Sequence, residues 1–496
     1  MTSKPFQETK RFAIIGSGPS ALACVWELID SNIEISIFDT HITDTNLEIH
    51  PARDSSQKFK LTGGSDYPYR HFRSGPKYET NGLAIPYSFA EGGLSSVWGA
   101  TMLPFSLMDI KHWPIYMQAL EKEYEFISER MPIARPGFES SIYYQDYSNS
   151  EGLLPSKNIQ TVLESSHSSQ EDFEYSVTSL AVRVQTAFQK GCIYCNKCLE
   201  GCPYRYIWSA KADWENIRAS KRVNFEDGIR VLQVHETFTG VTFTGVRQDN
   251  SEYQSEEFDR IILATGSIES FRIMAASGLT PKSTILQDSN TFLVPFFHRR
   301  HIFEDTKLGY SLSQAYLRAK SVKGFALHFQ FYNFTEALLN RAISTSWIAR
   351  LIPKKILANV MSRLIFAIGY LPSEYSKNLS MSLDEIGNLE ILALRSNLSK
   401  RKKNSRIGNK YILNKSIFRR AGLWPISSMI QHLNAGLGSH YGGWAPAGIS
   451  SDSLGRLNSD SRVHLVDSSV LPTIPAGPIT FTVMANAVRI VRAIPK

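Results

Sequence analysis

Four of the five cysteines lie within eleven residues, at Cys192, Cys195, Cys198 and Cys202. With the following proline they form C-x2-C-x2-C-x3-C-P, the run that ligates iron–sulfur clusters in bacterial ferredoxins. Where a ferredoxin holds two clusters, the fourth cysteine serves the other cluster, and this chain has no second set. We therefore expect all four thiolates to bind a single 4Fe–4S cluster.

Two other chemistries suit the same four side chains. Zinc is one alternative, although structural zinc sites usually pair two C-x2-C elements a dozen or more residues apart. Reduced or paired thiols are the other, although a disulfide across so short a loop is strained. The fifth cysteine, Cys24, lies in a predicted apolar helix and is expected to be a core residue.

The segment Phe12–Asp39 predicts a strand, a glycine-rich turn, a helix and a second strand. Its turn reads G-x-G-x-x-A and comprises Gly16, Gly18, Pro19, Ser20 and Ala21. The first glycine allows a tight turn, the second lets the backbone approach a pyrophosphate, and the alanine lets the helix pack on the strand. The helix N-terminus attracts phosphate, and Asp39 can bind a ribose hydroxyl. The segment predicts a dinucleotide site.

Three further stretches carry the same kind of signal. Residues 92–100 read GGLSSVWGA, residues 260–278 read RIILATGSIESFRIMAASG, and the C-terminal part contains GSHYGGWAPAG and RVHLVDSSVLPTIPAGPITFTVMANAVRI. Together with the glycine turn, they resemble the glucose–methanol–choline (GMC) oxidoreductases, which bind FAD. The stretches follow the family's order and cover both ends of its flavin domain. The resemblance implies FAD and the family's fold, whereas residues 291–425 show none and leave the substrate open.

The resemblance also implies individual cofactor contacts. In the family a GG-x-S-x-x-W-G loop lies beside the isoalloxazine ring, and it is matched here by Gly92, Gly93, Ser95 and Trp98. Gly266 matches a turn that ends a buried strand, and Asp467 matches an aspartate beside the ribityl and phosphate groups. Pro478 and Thr480 match the segment whose backbone donors face the flavin's pyrimidine end and stabilise negative charge there.

A histidine base is the catalytic group that the resemblance implies. GMC enzymes oxidise an alcohol by removing its proton with a histidine while hydride passes to the flavin, a task that suits neutral imidazole. The family pattern H-x-x-G is matched by His440, whereas His432 lacks it and His464 lies inside a predicted strand. A second His or Asn normally faces the first, but Gly477 or Pro478 stands there. Either another lobe supplies the partner or the reaction differs.

These motifs together predict an FAD-dependent dehydrogenase that oxidises an alcohol or sugar hydroxyl of a small molecule. A one-electron centre near the flavin can pass electrons to an external protein or quinone, which favours a dehydrogenase over an oxidase. The alternative is a non-redox member of the same fold, resembling hydroxynitrile lyases, with structural flavin and a zinc or unmetallated cysteine cluster. A lyase has no use for an electron relay.

The motifs also predict an α/β architecture with a discontinuous, Rossmann-like FAD-binding lobe and a strand-rich substrate lobe. The FAD-binding lobe is expected at 1–105, 206–290 and 426–496, and the substrate lobe at 291–425. Between them, 106–205 is expected to be a connection that is helical from Leu107 to Met131 and carries the cysteines.

Composition excludes several classes of protein. The chain has 496 residues, of which 43% are hydrophobic, so it can bury cores of ordinary size and is not mainly disordered. We find no apolar run near the roughly 18 residues of a membrane-spanning helix and no signal-peptide core, so we expect a cytoplasmic protein. The net charge of +8 includes ten Lys or Arg between Arg395 and Arg420, which leaves −2 elsewhere. A local patch does not suggest nucleic-acid binding.

A second basic stretch suggests contact with a membrane surface. Residues 337–370 carry five Lys or Arg among apolar residues and no acid. We expect either a pair of core-packed helices divided at Pro353, or an amphipathic element at a membrane surface, with Trp347 in the headgroup region. With the basic segment 395–420, the second alternative predicts an enzyme that is peripheral at a membrane and acts on an anionic or lipid-linked substrate.

Overall fold

A computed structural model describes residues 9–41, 67–69, 74–115, 117–135, 147–148, 150–165, 173–300, 302, 308–320, 326–335, 339, 343, 350–394 and 415–495. Its helices are α1 (Pro19–Leu28), α2 (Met117–Ser128), α3 (Lys157–Glu164), α4 (Ala210–Ser220), α5 (Ser267–Ala276), α6 (Lys354–Met361), α7 (Lys415–Arg420) and α8 (Thr480–Ala493). Most of the motifs above fall on these residues, but Trp347 and the greater part of the basic segment, 395–414, lie outside them.

The strands fall into five sheets. The first 11 are β1 (Lys10–Ile15), β2 (Ile33–Asp39), β3 (Tyr78–Glu79), β4 (Ala134–Arg135), β5 (Ser150–Glu151), β6 (Phe173–Val177), β7 (Asn224–Asp227), β8 (Ile229–Glu236), β9 (Val241–Arg247), β10 (Glu252–Gln254) and β11 (Arg260–Leu263). The rest are β12 (Ser283–Asp288), β13 (Thr291–His298), β14 (Ala315–Lys320), β15 (Ala326–Asn333), β16 (Leu364–Tyr370), β17 (Leu379–Leu383), β18 (Leu389–Ala393), β19 (Leu423–Pro425), β20 (Gln431–His432), β21 (Tyr441–Gly442) and β22 (Val463–Leu465).

A parallel five-stranded sheet in the order β22-β11-β1-β2-β7 forms the centre of the lobe that the motifs predict to bind a dinucleotide. Its inner strands are continuous apolar runs because the sheet is covered on both faces, and the cores of β1 and β11 are fully buried. The helix α1 begins at Pro19, directly after the glycine turn, where proline's fixed φ suits the first helical turn. The predicted α/β class is confirmed. An antiparallel sheet, β10-β9-β8, continues from this lobe.

The strand-rich lobe is an antiparallel seven-stranded sheet in the order β19-β13-β16-β15-β14-β6, with β20 paired to β13. Strand β6 comes from the predicted connecting segment rather than from 291–425. The sheet has two unlike faces, because alternate residues of a strand point to opposite sides. Along β15 the residues Leu327, Phe329 and Phe331 belong to a buried apolar cluster. On the other side are His328, Gln330 and Tyr332.

The predicted pair of helices around Pro353 is wrong in its second half. The helix α6 does begin at Lys354, but residues 364–370 form the strand β16, which pairs with β13 and β15. A central strand of this kind is an unbroken apolar run, and such a run has no period that separates it from a buried helix. Similarly, the helix expected from Leu107 begins at Met117, after turns and Pro114.

Two further sheets complete the described part of the chain. A sheet in the order β21-β12-β17-β18-β3 joins pieces that lie far apart in sequence, and β4 pairs with β5. No helix within the described ranges is both long and apolar enough to cross a membrane.

Candidate functional site

One pocket of about 450 Å³ gathers most of the residues that the sequence analysis assigned to FAD and catalysis. It is lined by Gly16, Gly18, Pro19, Ser20, Asp39, Gly93, Ser95, Trp98, Gly266, His440, Asp467, Pro478 and Thr480. The volume lies within the usual range for ligand pockets. Two assigned residues lie just behind the wall: Ala21 is fully buried in α1, and Gly92 precedes Gly93 in its loop.

The glycine turn is shaped by its close approach to β11. Gly16 has φ +104°, and a Cβ atom there would lie 2.6 Å from the carbonyl oxygen of Ala264. A side chain is therefore excluded by both backbone conformation and space. A Cβ on Gly93 would lie 3.6 Å from the Cα of Gly18, so the two glycine loops meet over the N-terminus of α1. The backbone is left open to a phosphate at that end.

The second glycine loop is tied to its surroundings by hydrogen bonds. The Ser95 hydroxyl donates to the carbonyl of Gly92 at 2.6 Å and accepts from the amide of Ala210 at 3.0 Å. The Gly92 amide in turn donates to the Ser17 hydroxyl at 3.0 Å. The indole of Trp98 donates to the carbonyl of Trp208 at 2.8 Å. These bonds fix the loop along one wall of the pocket before any ligand enters.

Three buried carboxyl groups line the pocket, those of Asp39, Asp467 and Glu269, and the first two match residues that the sequence analysis assigned to the cofactor. Burial raises the pKa of Asp39 to about 7, although the amide of His41 donates to it at 2.7 Å. Burial also raises the pKa of Asp467, while hydrogen bonds from Ser270 and Ser469 oppose the shift. Asp39 ends β2 beside the glycine turn, where a ribose hydroxyl would supply the donor that favours its charged form. This donor set, with the open backbone of the two glycine loops, fits FAD.

A buried ion pair in the pocket wall was not found by sequence reasoning. Arg230 donates to Glu269 at 2.9 Å, both side chains are almost fully buried, and both line the pocket. Glu269 also pairs with Arg272 in the next turn of α5. No motif marks Arg230, because it lies in β8 and reaches its partner only through the tertiary fold.

His440 lies at the far end of the same pocket. Its ring stacks on Tyr370 of the strand-rich lobe, with centroids 5.0 Å apart and planes 19° apart. Its Nδ1 has no hydrogen-bond partner among the described residues. Burial lowers the pKa of His440 to about 4, so the imidazole is neutral at neutral pH and can accept a proton.

A second imidazole, that of His328, lies beside Gly477, which offers no side chain of its own. A Cβ on Gly477 would lie 3.8 Å from Cγ of His328, so the strand-rich lobe fills that space. His328 is fully buried between Tyr316 and Tyr370, at ring centroid distances of 5.7 and 5.9 Å. Neither ring nitrogen has a hydrogen-bond partner in the described part of the chain. Burial and the charge of Arg318 hold its pKa well below the ordinary value.

The other two histidines considered from the sequence lie elsewhere. His432 is exposed on β20, and its ring packs near Phe292. His464 is buried in β22, where Nδ1 lies 3.0 Å from the carbonyl of Leu454. Neither lines the pocket. His440 is thus the one of these three that the fold brings to the pocket.

The strand-rich lobe contributes uncharged side chains to the end of the pocket around His440. The walls there include Gln330 and Tyr332 of β15 and Ile368 and Tyr370 of β16. The Tyr332 hydroxyl donates to Oε1 of Gln330 at 2.8 Å. Sequence reasoning predicted a strand-rich lobe here but assigned none of these residues. The signal was the run of polar and aromatic residues on one face of a strand whose other face is apolar.

The four clustered cysteines line a second, small cavity together. None of them is in a disulfide. Burial, with smaller contributions from the other three thiols, raises the pKa of Cys192 to about 11. The Cys202 sulfur accepts a hydrogen bond from the amide of Tyr206 at 3.4 Å. Their common cavity and uniform thiol chemistry suit a metal centre, although no three Cys, His, Asp or Glu side chains of the described residues are arranged to hold a metal ion.

The cysteine loop has an unusual backbone. Tyr194, Asn196 and Arg205 have φ between +54° and +58°, a conformation that costs a non-glycine residue about 1–2 kcal/mol. A parallel bridge between Cys195 and Gly309 attaches the loop to the chain before β14. The loop is therefore folded around its cavity by residues in conformations that they rarely adopt, which is typical of functional sites.

Two tryptophans lie between the cysteine cavity and the first pocket. Ile207 lines the cysteine cavity and is followed by Trp208. The Trp208 ring contacts that of Trp98 edge-on, with centroids 5.7 Å apart. Trp98 lines the first pocket. The two cavities are thus joined by a short path through aromatic side chains.

Comparison with known proteins supports the fold. No family model matches the chain, and no curated protein matches it. Its structure is similar to the crystal structure of pyridoxine 4-oxidase from Mesorbium loti, with a TM-score of 0.60. The likeness covers 98% of this chain and 99% of that chain at 15% sequence identity. At this identity the likeness shows the fold alone, which agrees with the fold that the motifs implied.

Proposed function

We propose that this protein is an FAD-dependent dehydrogenase that oxidises a hydroxyl group of a small, uncharged alcohol or sugar. The observation that carries the proposal is the single pocket that runs from the glycine turn to His440. It brings together a dinucleotide cradle and a neutral imidazole that lie more than 400 residues apart in the chain. The fold shared with a pyridoxine 4-oxidase supports the same class of chemistry.

The chain's own residues would hold the cofactor along this pocket. Bound FAD supplies an acceptor for the hydride of an alcohol C–H bond. The glycine loops around Gly16 and Gly93 would leave room for the pyrophosphate, and Asp39 would accept a hydrogen bond from the ribose. Asp467 and the backbone of residues 478–480, at the N-terminus of α8, lie at the end that approaches His440.

Proton removal is assigned to His440. At neutral pH its imidazole is neutral, because burial disfavours the imidazolium form. The stacking contact with Tyr370 holds the ring in place, so a nitrogen can accept the proton of the substrate hydroxyl. We assign His328 as the second imidazole, which takes the space beside Gly477 that a side chain from that segment would otherwise occupy.

The uncharged walls favour an uncharged substrate. Tyrosine rings and a glutamine amide suit a polyol or a sugar ring, because they offer aromatic faces and hydrogen-bonding groups together. A charged substrate buried against these four side chains of β15 and β16 would find no partner of opposite charge among them, at a cost of several kcal/mol or more.

The cysteine cavity is proposed to hold a 4Fe–4S cluster, with zinc as the alternative. An iron–sulfur cluster would supply a one-electron exit from the flavin to an external protein or quinone acceptor. The edge-on contact of Trp98 and Trp208 supports this role, because it joins the two cavities through protein. A zinc site would need no such connection.

Anaerobic reduction by a panel of neutral polyols and sugars tests the proposed chemistry. A substrate should bleach the flavin absorbance without oxygen, and His440→Ala should slow that step about 10²–10⁴-fold. His432→Ala is the matched control and should bleach at the native rate, since His432 lies outside the pocket. A protein that folds but neither contains nor takes up FAD would refute the proposal.

A further inference from the structure

The helix α6 has an unusual distribution of apolar side chains. Leu357 is buried in a small cluster with Phe334 and Leu339, which attaches the helix to the strand-rich lobe. Leu351, Ile356 and Val360 are 73%, 57% and 59% exposed. We refer to these three residues as the outer apolar face. Water-exposed apolar side chains placed so close together usually mark an interaction site.

The same region is strongly basic. Residues 337–373 contain five Lys or Arg and no acidic residue. Lys355 lies on α6 and Arg363 directly follows it, and both are exposed. The outer apolar face is thus accompanied by the exposed positive charges of Lys355 and Arg363. The surface that would complement this face is an apolar phase bounded by negatively charged groups.

The outer apolar face is connected to the substrate end of the pocket by a single strand. β16 begins at Leu364, three residues after α6 ends, and its residues Ile368 and Tyr370 line the pocket. At about 3.3 Å per residue, the span from Leu364 to Tyr370 is about 20 Å. A surface that binds at α6 would therefore lie beside the lobe that covers the substrate.

We propose that the outer apolar face docks this protein on an anionic lipid bilayer. A stable protein–protein interface buries at least about 1,200 Å², which requires far more than the three side chains of the outer apolar face, two on α6 and Leu351 just before it. Binding to a bilayer requires a smaller contact area, because a few apolar side chains enter the headgroup region while nearby Lys and Arg contact anionic lipids. The proposal concerns where the enzyme works and does not depend on the proposed oxidation.

Vesicle sedimentation of the full-length, FAD-loaded protein tests the docking. Vesicles containing phosphatidylglycerol should carry the protein down at low salt, and phosphatidylcholine vesicles should not. The double substitution Ile356→Asp with Val360→Asp should abolish binding. Lys355→Gln and Arg363→Gln should each weaken it about fivefold, the equivalent of about 1 kcal/mol for one basic residue near an anionic surface.

Matched controls lie on other surfaces. Ile386 is 81% exposed on the turn between β17 and β18, and Ile386→Asp should bind vesicles like the native protein. Lys282→Gln is the corresponding control for charge. Thermal unfolding should confirm that all variants fold, and the flavin absorbance should be retained.

Three results would overturn the proposal. They are absence of binding to phosphatidylglycerol vesicles at low salt, binding that survives Ile356→Asp with Val360→Asp, and equal loss in the Ile386→Asp control. If the double variant instead breaks a dimer and vesicles bind neither form, the face joins two copies of the chain. Unchanged anaerobic flavin reduction in the double variant would show that docking and chemistry fail separately.

Discussion

The proposed FAD pocket and the cysteine cavity are built from equally short motifs but are held in place in different ways. In the pocket, positive φ is adopted mostly by glycines, such as Gly16 in the turn between β1 and α1, with Ala100 and Ser439 as non-glycine exceptions. The cysteine loop has little regular structure, and positive φ is adopted there mostly by non-glycine residues, namely Tyr194, Asn196 and Arg205, beside Gly201. Glycine accepts this backbone conformation at no steric cost, whereas the other residues do not.

This difference suggests that the two sites depend on their ligands to different extents. The pocket is shaped by a parallel sheet and by hydrogen bonds such as that from Gly92 to Ser17, so its form is fixed without FAD. The cysteine loop stores backbone strain around four thiols, and metal–thiolate bonds would offset that strain. We therefore expect the loop to depend on its metal more strongly than the pocket depends on its flavin.

Loss of the metal should have the largest effect. Cys195→Ser, prepared anaerobically, should lose iron entirely and expose residues 183–206 to limited proteolysis, while FAD stays bound. Flavin reduction by substrate should survive, but transfer to an external acceptor should stop. Cys24→Ala is the control, because Cys24 is buried in α1 and should keep both iron and FAD.

Metal analysis of the native protein can contradict this prediction. Stoichiometric zinc without iron would replace the electron-exit role with a structural one. An intact, protease-resistant loop in metal-free protein would contradict the contrast between the two sites.

A single methyl group added at the glycine turn should disrupt the pocket. Gly16→Ala places a Cβ 2.6 Å from a carbonyl oxygen at positive φ, so we expect a loss of about 2–5 kcal/mol and of bound FAD. Gly278→Ala is the matched control, because Gly278 also has positive φ but has no atom within 4 Å of such a Cβ. It should cost only about 1–2 kcal/mol and keep FAD. Chemical denaturation and flavin content measure both.

The sequence predicts the glycine turn of the pocket better than it predicts the residues near His440, and the reason is physical. The geometry of the Gly16 turn is encoded within a few residues, so the order of strand, turn, helix and strand over this segment is predicted correctly. His328 could not be found this way, because it reaches Gly477 across about 150 residues of chain. Strand β16 was misassigned because nearly all of its residues are apolar on both faces, so its sequence lacks the alternation that would identify a strand although its burial alternates.

His328 allows a test of whether the far end of the pocket is built for stability or for chemistry. Its two unpartnered ring nitrogens are buried at a cost, so His328→Phe should stabilise the protein by about 1–3 kcal/mol. The ring would still fit between Tyr316 and Tyr370. If His328 serves the reaction, the same variant should slow anaerobic flavin reduction while it raises the melting temperature. A more stable variant with native reduction kinetics would show that His328 has no role in the chemistry.

The smallest expected effect concerns the proton on Asp39. Because burial raises the pKa of Asp39 to about 7, the carboxyl in FAD-free protein is half protonated at neutral pH. A ribose hydroxyl donates to the charged form, so FAD binding should release this proton and weaken as the pH falls. From pH 7 to pH 6 the affinity should fall about fivefold, and Asp39→Asn should remove that dependence.

The same carboxyl group affects folding stability. In the unfolded chain Asp39 has its ordinary pKa, so between about pH 4 and pH 7 the folded, FAD-free protein binds one more proton there than the unfolded chain does. Asp39 therefore makes FAD-free protein less stable as the pH rises through that window, and Asp39→Asn should flatten this trend too. Calorimetric titration with FAD in two buffers of different ionisation enthalpy measures the released proton directly, and no proton release at pH 6.5 would show that Asp39 does not bind the ribose.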